Sequence, residues 1–172
     1  MNTLKLLTIT LFLFLLHSTT TTAQTAVGLR LGYPLSITGK TFISDDHAIE
    51  AFVGYRSRNI FFDDGWRSLS INALYQIHDD LELGDLDGLR WFYGGGAGVR
   101  FWSYDDGLFS REDYSRISYT VMGVFGLNYF FEDTPINMSI DWVPRISVGR
   151  GYVSGFGAGY GAFSVRYVLG DY

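Results

Sequence analysis

From Thr25 onward the chain alternates between apolar or aromatic residues and polar, charged or glycine ones. A period of two marks a β-strand with unlike faces, and no segment after residue 24 sustains the 3.6-residue period of a helix. Eight strands are expected. The first runs from about Thr25 to Tyr33, with Val27, Leu29, Leu31 and Tyr33 on one face and Gly28, Arg30 and Gly32 on the other. The second, about Leu35 to Ile43, sets Leu35, Ile37 and Ile43 against Ser36, Thr38 and Lys40. Ser44-Asp45-Asp46 then signals a turn. The third, about His47 to Tyr55, sets Ile49, Ala51, Val53 and Tyr55 against Glu50.

A polar loop from Arg56 to Gly65 leads to a fourth strand, about Trp66 to Ile77, and an acidic connector from Asp79 to Gly88 leads to a fifth, Leu89 to Trp102. In the fifth, Trp91, Tyr93, Ala97, Val99 and Phe101 oppose Arg90, Gly94, Gly96, Gly98 and Arg100. After a loop from Ser103 to Ser115, a sixth strand spans about Ile117 to Phe130; Glu132 to Pro135 forms a turn. The seventh, about Ile136 to Ile146, turns Asn137, Ser139, Asp141 and Arg145 away from Met138, Ile140 and Trp142. A glycine-rich loop near Gly149 to Gly157 precedes the last strand, where Phe163, Val165 and Tyr167 oppose Ser164 and Arg166. These parities are strongly specified, because a one-residue slip would exchange the faces entirely.

In a soluble sandwich or lipocalin-like carrier the apolar face is the core; in a membrane barrel it meets lipid. Two features favour the membrane case. Tyr33, Tyr55, Trp66, Trp91, Tyr129 and Trp142 fall toward the ends of apolar rows, as interfacial girdles require. The polar face is also unusually small: Gly28, Gly32, Gly94, Gly96, Gly98, Ser68, Ser70 and Gly126 suit a crowded lumen better than a solvated surface. The expected fold is all-β, an eight-stranded antiparallel up-and-down transmembrane β-barrel with a narrow, filled lumen. Eight strands enclose an interior that side chains just fill, so an open pore is disfavoured against a very narrow channel or none.

The start of the chain reads differently. Lys5 and the apolar run Leu6 to Leu16, followed by Thr21-Thr22-Ala23, have the form of a cleavable export signal ending before Gln24. The run is too short to span as a helix, which takes about 20 residues. Residues 1–23 are therefore expected to leave as a signal peptide, with 24–172 forming one barrel domain in an outer membrane. The chain has no cysteine, which excludes disulfides and a lipid-modified terminal cysteine. Its net charge of −5, with no basic cluster, argues against nucleic acid as a partner.

Leu29-Arg30-Leu31-Gly32-Tyr33-Pro34, Ile37-Thr38-Gly39-Lys40 and Ser44 to Glu50 resemble the opening of a known family. It comprises short Bacteroidota-type outer-membrane β-barrel proteins, OmpX-like or OmpA-transmembrane-domain-like in architecture. Trp91 to Gly98 and Pro135 to Trp142 extend the resemblance over most of residues 24–172. It implies an eight-stranded barrel with both termini in the periplasm, no settled activity and no catalytic residues to carry over; the expected surroundings are membrane lipids including lipopolysaccharide, and no cofactor is expected. Such barrels usually end on an aromatic residue that the barrel-assembly machinery reads. Here Tyr167 completes the pattern, yet Val168 to Tyr172 continue past it.

The candidate site is the lumen. Arg30, Lys40, Glu50, Arg90, Arg100, Asp141, Arg145 and Arg166 all carry inward parity. Charges there need partners, so an ion-pair network is expected to plug the barrel. Lys40 and Glu50 are symmetric about the Asp45 turn and placed to pair across it. Arginines outnumber acids, which leaves room for a bound anion or a lipid phosphate at the rim. The acids Asp63, Asp64, Asp105, Asp106, Glu112 and Asp113 read as solvated turns ahead of a divalent-cation site. Asp79 to Gly88 lacks the first ligand of an EF-hand loop, because Leu83 occupies it. The Gly94 to Gly98 cluster is no dinucleotide fingerprint, since its spacing differs and no helix follows. His47 and His78 have no serine spaced for a nucleophile–base pair, so catalysis is not expected.

Overall fold

The computed structural model describes residues 24–32, 34–57, 65–83, 88–105, 116–131, 133–149 and 152–169. The expected signal peptide and Tyr33 lie outside them, and Trp66 is described in its backbone only. Eight strands follow one another: β1 (Thr25–Gly32), β2 (Leu35–Phe42), β3 (His47–Ser57), β4 (Gly65–Asp80), β5 (Leu89–Asp105), β6 (Arg116–Phe130), β7 (Ile136–Gly149) and β8 (Tyr152–Leu169). Each pairs antiparallel with the next, and β8 returns to β1, closing the barrel. Closure removes both sheet edges along the paired length and satisfies the ladder hydrogen bonds internally.

The two faces segregate completely enough to identify the inside. Ile37, Tyr119 and Val121 stand 69%, 67% and 68% exposed on the outer wall, whereas Arg30, Lys40, Glu50 and Arg166 are at most 1% exposed within. A carrier of apolar ligands needs the reverse arrangement. The polar rows point inward, and the apolar rows form the outer surface.

Several strands are longer than the alternation suggests. β4 and β5 take in Asp79, Asp80 and residues 103–105, which read as connectors. The described part of the glycine-rich stretch is strand: β7 reaches Gly149, β8 starts at Tyr152, and Gly149↔Tyr152, Val148↔Val153 and Ser147↔Ser154 continue the ladder. Glycine and serine carry no apolar alternation to read, yet they keep their backbone donors and acceptors. The neighbouring strand therefore decides where pairing stops. Pro144, which has no donor, coincides with the register shifts between Val143, Arg145 and Ser147.

The lumen is not uniformly polar. Phe52, Leu74, Phe92, Met122, Val124 and Val143 form a buried apolar cluster against which Tyr160 packs. Its members share inward parity with the charges: Phe52 follows Glu50 by two residues on β3, and Val143 follows Asp141 by two on β7. Odd-numbered strands run away from the end that holds both termini. Phe52 and Val143 therefore lie on the far side of the ion pairs, with Arg145 and Arg100 beyond them, whereas Phe92, two residues after Arg90 on β5, extends the cluster toward the terminal end beside His78 and Lys40.

Candidate functional site

Each buried charge is delivered by a different strand, and the register brings them together across the lumen. Glu50 projects from β3 and accepts from Arg166 Nη2 at 2.5 Å, Gln76 Nε2 at 2.6 Å, Thr38 Oγ1 at 2.7 Å and Arg30 Nη1 at 3.4 Å. Arg30, from β1, forks onto Asp141 of β7, with Nη1 donating to Oδ2 at 2.8 Å and Nη2 to Oδ1. The guanidinium fork suits this two-point grip, which a lysine ammonium cannot reproduce. Arg166 Nη1 donates further to Ser139 Oγ at 2.8 Å and Asn137 Oδ1 at 3.2 Å. Arg30 also lies 4.9 Å from the Phe52 ring centroid, so the apolar cluster covers the ion pairs directly.

Of the eight expected lumen charges, Arg30, Glu50, Asp141 and Arg166 meet in this one network. Lys40 takes a different place. It stands opposite Glu50 in register, but its Nζ lies 4.5 Å from the Phe92 centroid and donates to Asn128 Oδ1 at 3.4 Å. Glu50 is enclosed by guanidinium, amide and hydroxyl donors from β1, β2, β4 and β8. Arg90 is corrected outward to the rim: Nε donates to Asp80 Oδ1 at 2.6 Å and Nη1 to the Asp45 carbonyl at 2.6 Å. It is the second residue of β5, where a long side chain of inward parity reaches water past the strand end. Arg100 and Arg145 sit in the far half. Their guanidinium carbons lie 5.4 Å from the Trp102 ring and 5.0 Å from the Tyr160 ring.

The expected girdle residues divide. Tyr55 is toward the far end of β3, whereas Trp91 and Tyr129 stand at the terminal end of β5 and β6. Trp142 is outward but at mid-strand in β7, beside Phe125. Parity gives a residue's face; its depth depends on strand tilt and stagger, which the local sequence does not display.

The pattern also leaves His78, Gln76 and Asn128 outside the candidate list, though all are fully buried. His78 stacks on Phe92 and tilts against Phe42, each with centroids 4.9 Å apart. Its Nε2 is 3.3 Å from Gln76 Oε1. Their inward parity is the signal in the sequence that places them there; charge alone does not select them, and His78 stands out in the sequence only as a histidine without a serine partner. Among the described residues no three His, Asp or Glu side chains gather to hold a metal.

At the terminal end a cavity of about 410 Å³ opens, lined by Gln24, Phe42, Ser44, Asp45, Arg90 and Phe130. Phe42 and Phe130, with ring centroids 5.6 Å apart, bound it on the lumen side.

No protein-family model and no curated protein matches the chain. Solved structures do. The chain is similar to Neisserial surface protein A, with 11% identity and TM-score 0.52 over 86% of this chain and 94% of that one. It is similar to the N-terminal β-barrel domain of Pseudomonas aeruginosa OprF at 13% identity and TM-score 0.51, covering 86% and 96%. It is also similar to Ail, the attachment invasion locus protein of Yersinia pestis, at 12% identity and TM-score 0.51, covering 86% and 97%. All three are eight-stranded outer-membrane barrels, and at these identities the likeness establishes an OmpA/OmpX-like fold.

Proposed function

We propose that the chain is an integral outer-membrane β-barrel with an envelope-stabilising and surface-interaction role, and without catalysis. In this reading residues 1–23 direct export and are removed, and the protein belongs with the short Bacteroidota-type barrels that its opening residues resemble. The observation that carries it is the inverted amphipathicity: bulky apolar side chains cover the outer wall, and arginine–carboxylate pairs are sealed inside. Such a surface in water would be a very large aggregation-prone patch, whereas in lipid it is the stable arrangement.

The surface-interaction role draws support from uneven strand lengths. β1 pairs only Ala162–Leu169 of β8, so the stretch from Tyr152 to Tyr160 rises beyond it, held by β7 on one side. Among the described residues its other side has no strand partner, and such an edge can accept an extended segment of another protein. With the termini in the periplasm, this edge faces the cell exterior.

The test is fractionation with two single-cysteine reporters, made possible by the absence of native cysteine. The protein should be recovered in the outer membrane and migrate faster unheated than boiled. In intact cells an impermeant maleimide should label Ser57→Cys, at the far end of β3, and should reach Ser44→Cys, at the terminal-end turn, only after lysis. Recovery in the soluble fraction without a mobility shift would overturn the membrane reading. Reversed labelling would overturn the orientation.

A further inference from the structure

In the half of the lumen nearest the termini, every strand position is described, and the charges can be paired off. Arg30, Lys40 and Arg166 supply three cations; Glu50 and Asp141 supply two carboxylates, all at most 4% exposed. Both carboxylates are gripped by guanidiniums: Asp141 by Arg30, and Glu50 by Arg166 and Arg30. Arg90 belongs to the rim with Asp80. Among the described residues, Lys40 is therefore the surplus charge of this half of the lumen.

Its surroundings give the ammonium ring faces and one long hydrogen bond, but no carboxylate of its own. The ammonium lies 4.5 Å from the Phe92 centroid and 5.5 Å from that of Phe42, and Glu50 stands opposite it in register. Three N–H donors need acceptors, yet the bond to Asn128 Oδ1 is long, at 3.4 Å. On the same side chain, Asn128 Nδ2 is buried and has no hydrogen-bond partner. Lys40 is 1% exposed and Asn128 0%, so bulk water supplies neither deficit.

We propose that Lys40 and Asn128 bind a small monovalent anion of the halide class inside the barrel, entering from the terminal-end cavity. A halide needs only N–H donors and tolerates aromatic walls, and that is what this place offers. An oxyanion would demand more donors than the two side chains provide. A water molecule would complete hydrogen bonds but leave one whole charge uncompensated in a sealed interior, which is the costlier deficit. His78 forms a wall of the site and is not a ligand. Gln76 Nε2 donates to Glu50 Oε2 at 2.6 Å, which turns Gln76 Oε1 toward His78 Nε2 and makes that nitrogen the donor. Its Nδ1, unpartnered and buried, is then an acceptor. The route is short, because Phe42 lines the cavity and also faces the ammonium.

The test uses the purified full barrel folded in detergent. Its urea unfolding is followed in sodium chloride or bromide against sodium gluconate at equal ionic strength. A bound halide raises the unfolding midpoint along a saturating curve; at ten times its dissociation constant the folding equilibrium gains about elevenfold. Lys40→Met should abolish the difference between halide and gluconate. An equal midpoint in all three salts, a halide gain that never saturates, or one that survives Lys40→Met would overturn the proposal. Should Lys40→Met fail to fold, crystals of the unaltered protein grown in bromide decide. An anomalous bromine peak touching Lys40 Nζ and Asn128 Nδ2 supports the site; bromide elsewhere only, or a water there, overturns it.

Discussion

Arg166 on the closing strand donates to Glu50 on the third, across 116 positions of sequence, at 2.5 Å with both side chains fully buried. Neither strand touches the other in the sheet, so this bond spans the interior. Together with Arg30 and Asp141 it ties β1, β3, β7 and β8 through the lumen, on both sides of the β1–β8 seam that closes the barrel.

Removing the shared acid should be the most damaging single change in the lumen. Glu50→Gln keeps the size but leaves Arg166 with no carboxylate and Arg30 with Asp141 alone, and breaking a buried pair from one side costs about 3–5 kcal/mol. The double variant Glu50→Gln with Arg166→Gln should lose less than the sum of its parts. Urea titration of folding into lipid vesicles, read by the heat-dependent gel shift, checks both. An additive result would mean that the two residues stabilise the barrel independently.

Two glycines should respond oppositely to the same substitution. A β-carbon on Gly39 meets only Val27 Cγ1, at 3.9 Å, whereas one on Gly96 collides with the Ala73 carbonyl and lies 2.8 Å from Leu74 Cα. Gly39→Ala should leave the unfolding midpoint unchanged or raise it, by up to about 1 kcal/mol through reduced chain entropy. Gly96→Ala forces backbone apart and should cost roughly 1–3 kcal/mol. The same titration separates them.

Phe92 serves two neighbours at once, stacking on His78 and lying under Lys40. Phe92→Ala should cost about 3–5 kcal/mol as a buried cavity. Phe92→Leu fills most of the space and forfeits chiefly the ring faces, for roughly 1–2 kcal/mol. Equal losses in the two variants would show that the ring faces, not the volume, are what the site uses.

The alternation from Thr25 onward was enough to number the strands, order them and say which residues share a face, because in a sheet those properties are local. It could not place Trp142 at mid-depth or Arg90 at the rim, since depth follows from how eight strands tilt and stagger together. The inward apolar cluster was half-visible. Phe52, Leu74 and Phe92 have the parity of Glu50, Asn72 and Arg90, but an apolar residue on a polar row looks like noise until its neighbours across the lumen are known. The ends of β7 and β8 were hidden by glycine. The partners of Glu50 were hidden for a different reason: any of several inward arginines satisfies the charge rule, and only the closed register selects Arg166 and Arg30.

The outer wall offers the sharpest test of what surrounds the barrel. Ile140 is 58% exposed and flanked by Leu127 and Phe163 on the neighbouring strands. If that wall faced water, Ile140→Arg would be close to neutral, as surface changes usually are within about 0.5 kcal/mol. Against lipid near the bilayer midplane an arginine costs about 2–4 kcal/mol, falling toward zero near the interfaces. Tyr129 stands at the terminal end of β6, where the girdle is expected, so Tyr129→Arg should cost at most about 1 kcal/mol. Urea titration in vesicles should therefore rank Ile140→Arg well below Tyr129→Arg and the unaltered chain. Indistinguishable midpoints for the two variants would mean that no depth gradient exists along the wall, and the membrane reading of the apolar rows would fail with it.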